Sequence, residues 1–525
     1  MPDSNQRSIK RPRPTFNCLV CRDRKVRCGR ERPECANCKK SGRECVYQPA
    51  SVPATEARNH PRTRKFSGTL FGPSSILDAS VGDNEESLLP PHIDFLAQAS
   101  VLKSLPDKGI CDALVEVFFD SIYSIYPMID RQDFQRWYAD FWKWCSEKTQ
   151  SAIIPPTLLE DITGNCVLVA VLFAGASAAP ESIWEQPYLA RNDKEALMND
   201  FRSSLVKSLS ACDHLEHPTT STIIAELIAD PFMGRQLDSP SNGLFVSRIS
   251  CLAQRLGLHQ HVTASNLKAW QHKHIWQHIV WLDVQYSVST GLPLSSGVAS
   301  PNGSTSPASS AAELGGEGFI SRLLLVRSEV VGLEQSFLSH MQGAHFISEF
   351  RYAEYLTQAR DISDKIRSTI EAIPEYRSGE EEAVDNLPSA FRQWAQSILT
   401  MSRLEPFIIL QTLTLDANAD QGPEIEAEWS RASELSVQYL SIYIILATDP
   451  EYHPYRWYLD RCAMPTHCTL LLVTYLRRYP QAPDTRACEA CLRAAFDRWD
   501  RDIANGGKVL TSAQARLKRL FEVSG

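Results

Sequence analysis

The chain has little that would carry it into or through a membrane. Met1 to Pro14 is polar and basic, without the apolar stretch of a secretory signal, so the protein is expected to remain intracellular with no membrane partner. The most apolar run, Cys166 to Pro180, is about 15 residues long, short of the ~20 that span a bilayer, and reads as a buried helix. Signatures of catalysis are missing too. Gly506-Gly507-Lys508 is followed by Val509 and lacks the upstream glycine of a phosphate loop, and Gly316-Glu317-Gly318 lacks the third glycine of a dinucleotide fingerprint. There is no GxSxG, and no catalytic residue is assigned.

What is present is a large globular chain with an uneven charge. At 525 residues, 43% hydrophobic and 22% charged, it is long enough for two to four folded units at about 100–200 residues each. The net charge of −8 conceals a division. Residues 1–65 hold 17 Lys/Arg against 6 Asp/Glu, leaving 37 against 56 for the remainder. A basic head on an acidic body implies a polyanionic partner for the head.

Of 15 cysteines, six crowd the head: Cys18, Cys21, Cys28, Cys35, Cys38 and Cys45. They form C-x2-C-x6-C twice, an internal duplication joined by six residues that include Pro33. Reducing compartments disfavour disulfides, so metal is the better reading. Two tetrahedral zinc ions need eight bonds, and six thiolates supply them only if two sulfurs are shared. The duplication makes the shared pair symmetry equivalents, one per repeat. Each C-x2-C is expected at the start of a short helix, whose dipole favours thiolate. With almost no apolar core in such a unit, metal binding supplies the folding energy.

Arg22, Arg24, Lys25 and Arg27 lie between Cys21 and Cys28, with one acid, Asp23. Long cations leaving a rigid helix end reach guanine edges in the major groove of double-stranded DNA, while neighbours hold phosphates. Lys39, Lys40 and Arg43 of the second repeat are placed as phosphate contacts. Lys10, Arg11 and Arg13, with Arg62, Arg64 and Lys65, read as nuclear-import signals, phosphate arms or plain solvated charge.

Residues 16–48 thus resemble the fungal zinc binuclear cluster DNA-binding domain, the six-cysteine, two-zinc module of a transcription factor family. The resemblance implies Cys18 and Cys35 as the bridging thiolates, Lys25 as base reader with Arg24 beside it, and CGG-type triplets as target. It also implies a nuclear location, the RNA polymerase II transcription machinery as partner, and regulation of metabolic or secondary-metabolite genes. A basic arm of residues 1–15 precedes the module. Residues 49–91 read as a flexible linker, whose six prolines between Pro49 and Pro91 forbid an uninterrupted heptad coil; a homodimer has no clear zipper here.

Residues 92–525 read as all-α. Ile110, Leu114, Val117, Phe118, Ile122 and Ile125 keep helical spacing up to Pro127, and Phe245, Ile249, Leu252, Ala253 and Leu256 do so up to Gly257. Ile275 to Tyr286 and Leu435 to Leu446 repeat the pattern. Phe118–Phe134 and Arg248–Pro293 resemble the family's fungal-specific regulatory domain, for which a small-molecule effector is a candidate ligand. Ser295–Gly318 reads as a surface-loop insertion. Five histidines, His259, His261, His272, His274 and His278, are weighed as a second metal site and favoured as ordinary helix residues. Cys488 and Cys491, with Cys462 and Cys468, are favoured as small core residues, and Glu380–Glu382 as a solvated acidic run rather than an activation segment. The competing class is a helical enzyme or scaffold with a zinc adaptor that does not read DNA.

Overall fold

The computed structural model describes residues 21, 26–29, 34–42 and 45 of an N-terminal unit within Met1–Glu86. Of the second unit, Ser87–Gly525, it describes 92–146, 163–187, 189–260, 267–296, 319–344, 347–373, 388–415, 423–462, 465–504 and 510–523. The expected arm, the linker at 49–91, His261, Gly316–Gly318, Glu380–Glu382 and Gly506–Lys508 lie outside these residues. In the N-terminal unit they include α1 (Ala36–Lys40) and Cys21, which is helical too.

The second unit is helical, and no strand occurs among its described residues. Its first layer comprises α2 (Phe95–Lys103), α3 (Lys108–Val117), α4 (Arg131–Ser146), α5 (Gly164–Ala178), α6 (Glu181–Trp184), α7 (Lys194–Ala211) and α8 (Thr220–Ala229). After them come α9 (Pro240–Arg255), α10 (Leu267–Thr290), α11 (Phe319–Ala344), α12 (Glu349–Glu371), α13 (Ser389–Leu415) and α14 (Pro423–Thr448). The chain ends in α15 (Arg456–Cys462), α16 (Thr466–Arg478), α17 (Thr485–Ala504) and α18 (Ser512–Glu522). Starts are set by short polar side chains that satisfy orphan amides. Asp94 caps Ala97, Ser239 caps Asn242 with Pro240 in the first turn, and Thr219 and Thr511 build reciprocal capping boxes. Gly257 closes α9 at φ +74°, a left-handed position that only glycine adopts freely.

One periodic segment departs from expectation. The helical spacing from Ile110 to Ile125 is carried by α3 and then by a π-turn, Phe118–Tyr123. A wider turn lets Phe118 and Phe119, adjacent in sequence, both reach the core, at 0% and 5% exposure. The Ser121 hydroxyl meets the Val117 carbonyl at 2.8 Å.

The apolar run is the helix expected. Every residue of α5 from Gly164 to Ala176 is buried, enclosed by α3, α7 and α8. At Gly175 the backbones nearly touch, since a Cβ there would stand 2.1 Å from the Leu114 carbonyl oxygen. A polar knot ties α2 to α7 beside it: Gln98 donates to the Ser208 carbonyl at 2.8 Å and accepts from the Ser208 hydroxyl at 2.9 Å. No helix among the described residues is long and apolar enough to cross a membrane.

In the second half, α13 packs along α11, α12 and α14, and α14 in turn on α16 and α17. Aromatic rings join the halves: Tyr126, just past the π-turn, lies edge-on to Trp457 at 5.1 Å, and Trp281 of α10 stacks on Tyr458 at 6.1 Å and 12°. The insertion does not begin as free surface. The amides of Ser295 and Ser296 both donate to the fully buried Asp283 carboxylate, at 3.0 and 2.6 Å; residues 297–318 lie outside the described set.

Two carboxyls stand where α11 meets α13, Glu334 buried and Glu405 half-buried. Burial raises Glu405 to about 7, with the Gln285 amide pulling the other way, and raises Glu334 well above the usual range, the Glu405 charge adding to it. A carboxyl whose pKa is higher folded than unfolded costs nothing while both states are protonated. Its cost grows from the unfolded pKa, near 4.5, and is complete above about 7. Glu405→Gln should therefore gain on the parent between pH 5 and pH 8 by roughly 3 kcal/mol; a melting-temperature difference flat across that interval would contradict it. Gly175→Ala should destabilise by roughly 1–3 kcal/mol, because the obstacle is backbone rather than a flexible side chain. Urea unfolding followed by circular dichroism measures it.

Candidate metal centre and nucleic-acid interface

The N-terminal unit is built around sulfur. Cys35 has extended backbone, φ −76° and ψ 147°, and caps α1 with its own side chain, the Cys38 amide donating to its Sγ at 3.4 Å. The Cys35 amide in turn donates to the Cys45 Sγ at 3.2 Å. The helix ends quickly, with the Ser41 hydroxyl on the Asn37 carbonyl at 2.8 Å and Gly42 at φ +61°. The expected placement of a cysteine at a short helix start holds in the second repeat. In the first, residues 22–25 lie outside the described set.

The two repeats meet through thiols and one amide. The Sγ of Cys21 lies 3.7 Å from that of Cys35 and 3.9 Å from that of Cys38. Cys21, Cys28, Cys35 and Cys38 are buried and cluster together, with Cys45 packed against them. Asn37 Nδ2 donates to the Arg27 carbonyl at 2.8 Å, a link between the halves that no motif announced. The Cys35 thiol is lowered to about 6, first by the Cys38 amide, then by the thiols of Cys38, Cys21 and Cys45, against the opposing effect of burial.

These sulfurs fit zinc. Zn–S bonds of about 2.3 Å in a tetrahedron place sulfurs roughly 3.8 Å apart, whereas a disulfide needs about 2.05 Å. The observed 3.7 and 3.9 Å match the former. Among the described residues this trio is also the one cluster of three His, Cys, Asp or Glu ligands close enough to share an ion. The remaining sulfur needed by the count, that of Cys18, falls outside them.

Around the thiols the described surface is basic. Arg27, Lys39 and Lys40 are exposed, the last two in the final turn of α1. Arg22, Arg24, Lys25 and Arg43 are not among the described residues.

The other candidates of the sequence resolve into structure. Burial holds His274 down at about 4, and His278, 7% exposed, faces Arg327 with its Nδ1 3.3 Å from a guanidinium nitrogen. Cys468, Cys488 and Cys491 are core residues whose thiols burial pushes up, Cys488 to about 11. The Cys462 side chain is not described.

The sequence matches the profile of the fungal Zn(2)-Cys(6) binuclear cluster domain over residues 16–52, and that of the fungal specific transcription factor domain over 115–300. Transcription factor macR of Penicillium terrestre is 26% identical over 94% of this chain and 77% of its own length. Transcription factor yanR of Aspergillus niger is 27% identical over 82% of this chain, which spans 49% of that relative. The cercosporin biosynthesis regulatory protein CTB8 of Cercospora beticola is 28% identical over 27% of this chain and 32% of its own length. No solved structure matches.

The cluster domain binds two zinc ions, so metal analysis should return two per chain. Chelation should expose the six head thiols to a thiol reagent while the helical signal of the second unit persists; one zinc per chain, or thiols already reactive before chelation, would contradict the shared cluster. With sulfur spacing suited to zinc, a basic described surface around it and both domain profiles matched, the chain carries the two domains of the fungal zinc binuclear cluster transcription factors: it is a DNA-binding transcription regulator and not an enzyme.

Proposed function

We propose that the protein acts in the nucleus, where residues 16–48 read CGG-type triplets and direct RNA polymerase II transcription of a metabolic or secondary-metabolite gene set. The observation that carries this is the thiol cluster of Cys21, Cys35 and Cys38 within a head of strong positive charge. Cys18 and Cys35 bridge the two ions. Support for Cys35 is its central position, its sulfur close to Cys21 of the first repeat while it caps the helix that carries Cys38. Lys25, with Arg22, Arg24 and Arg27, enters the major groove; Lys39, Lys40 and Arg43 hold phosphates. That a relative is named for regulating cercosporin biosynthesis supports a biosynthetic gene set.

Residues 92–525 form the regulatory part, joined through a linker at 49–91 and answering to a small-molecule effector. Dimerisation through that linker is not favoured, because its prolines interrupt any heptad.

Fluorescence anisotropy with CGG-bearing and scrambled duplexes separates the roles. Lys25→Ala should cost roughly 1–3 kcal/mol of discrimination between the two duplexes. Lys39→Ala should weaken both alike and reduce the salt slope by about one. Unchanged preference in Lys25→Ala overturns the base-reading assignment, and equal affinity of the parent for both duplexes overturns the triplet.

A further inference from the structure

Between α10, α11 and α13 lies a narrow cleft open to solvent at its mouth. One face of α11 lines it, with Arg327 at one end and Glu334 at the other. Seven residues separate them, so their Cα atoms stand roughly 10 Å apart along the helix and the two charges do not meet. Glu405 of α13 joins Glu334 at the acidic end, and Trp281 and Tyr458 form an aromatic wall. Arg327 and Trp281 also line a neighbouring cleft.

The acidic end lacks what buried polar groups ordinarily have. Glu334 is 1% exposed, yet its Oε1 has no hydrogen-bond partner. Glu405 has the Gln285 amide at a long 3.5 Å. Next to it Pro406 interrupts α13 without an N–H for the Ser402 carbonyl four residues back, and Ser402 lines the cleft as well. At the other end the Arg327 guanidinium lies 4.0 Å over Trp281 and 3.3 Å from His278 Nδ1, and no carboxylate among the described residues reaches ion-pair distance. A planar fork of five donors, held over an aromatic ring, is suited to a carboxylate.

We propose that this cleft binds a small planar organic acid, its carboxylate on Arg327, its ring along Trp281 and Tyr458, and a hydroxyl or carbonyl oxygen at its far end on Glu334 and Glu405. Burial holds the Glu334 carboxyl well above its usual range, so it offers an O–H donor to an oxygen, with Glu405, raised to about 7, beside it. A cation would also meet the permanent charge of Arg327. A ligand spanning both ends gives the Glu334 oxygen a partner and Arg327 a counter-charge.

The inference rests on reading the second unit as effector-responsive, and its test separates the two. Calorimetry on the full, zinc-loaded chain compares 4-hydroxybenzoate with benzoate, 4-hydroxybenzamide and tyramine. Saturable 1:1 binding of 4-hydroxybenzoate is expected, weakened roughly tenfold or more in the uncharged amide and in Arg327→Gln. Benzoate should bind less tightly than 4-hydroxybenzoate to the parent, and this difference should vanish in Glu334→Leu. Equal binding of acid and amide, binding of tyramine in place of the acid, or no saturable binding overturns the proposal, whether or not the variants fold. Binding without any change in a CGG-reporter readout keeps the site and overturns the effector reading instead.

Discussion

Apolar surface has to be covered, and α5 has it on every side. A helix whose residues from Gly164 to Ala176 are all buried cannot stand at an edge, so α3, α7 and α8 are wrapped about it and the first half of the second unit takes its layout from that enclosure. Glycine at 175 permits the closest of these approaches. The N-terminal unit faces the opposite problem. Among its described residues the buried cluster is sulfur, gathered at separations that suit zinc. One protein thus holds two kinds of interior, one made by excluding water and one by satisfying metal valence.

That division agrees with the charge. A core of thiols leaves long side chains for the outside, where Arg27, Lys39 and Lys40 are exposed, the charge a polyanion requires. The second unit spends its side chains inward. Polar groups at depth include structural ties, Asp283 on two backbone amides and Gln98 against Ser208; among the unpartnered buried atoms of the described residues, the Glu334 oxygen is the one from a carboxylate.

Much of this was legible in the chain because it depends on local chemistry. Cysteine spacing encodes valence, the apolar run encodes a buried helix, and Gly257 marks a left-handed stop whatever surrounds it. The π-turn was not legible, since Ile110 to Ile125 satisfies helical spacing with or without the extra residue; the pressure to bury both Phe118 and Phe119 decides it. Nor were Arg327, Glu334 and Glu405. A charged residue on a long helix reads as solvated unless the packing partner is known, and theirs come from helices that lie far along the chain. Asn37 was missed because a single amide between repeats carries no pattern.

The hold of Asp283 on Ser295 and Ser296 bears on how the following segment can vary in length. A carboxylate with no exposure that accepts two successive amides works as a clamp on the outgoing chain, fixing its position before the insertion begins. Whatever is added or removed beyond Ser296 starts from the same anchored point, so drift in length there is uncoupled from the register of α10 against its neighbours. Evolution can lengthen this segment, and an engineer can splice a tag into it, with the core insulated from the change.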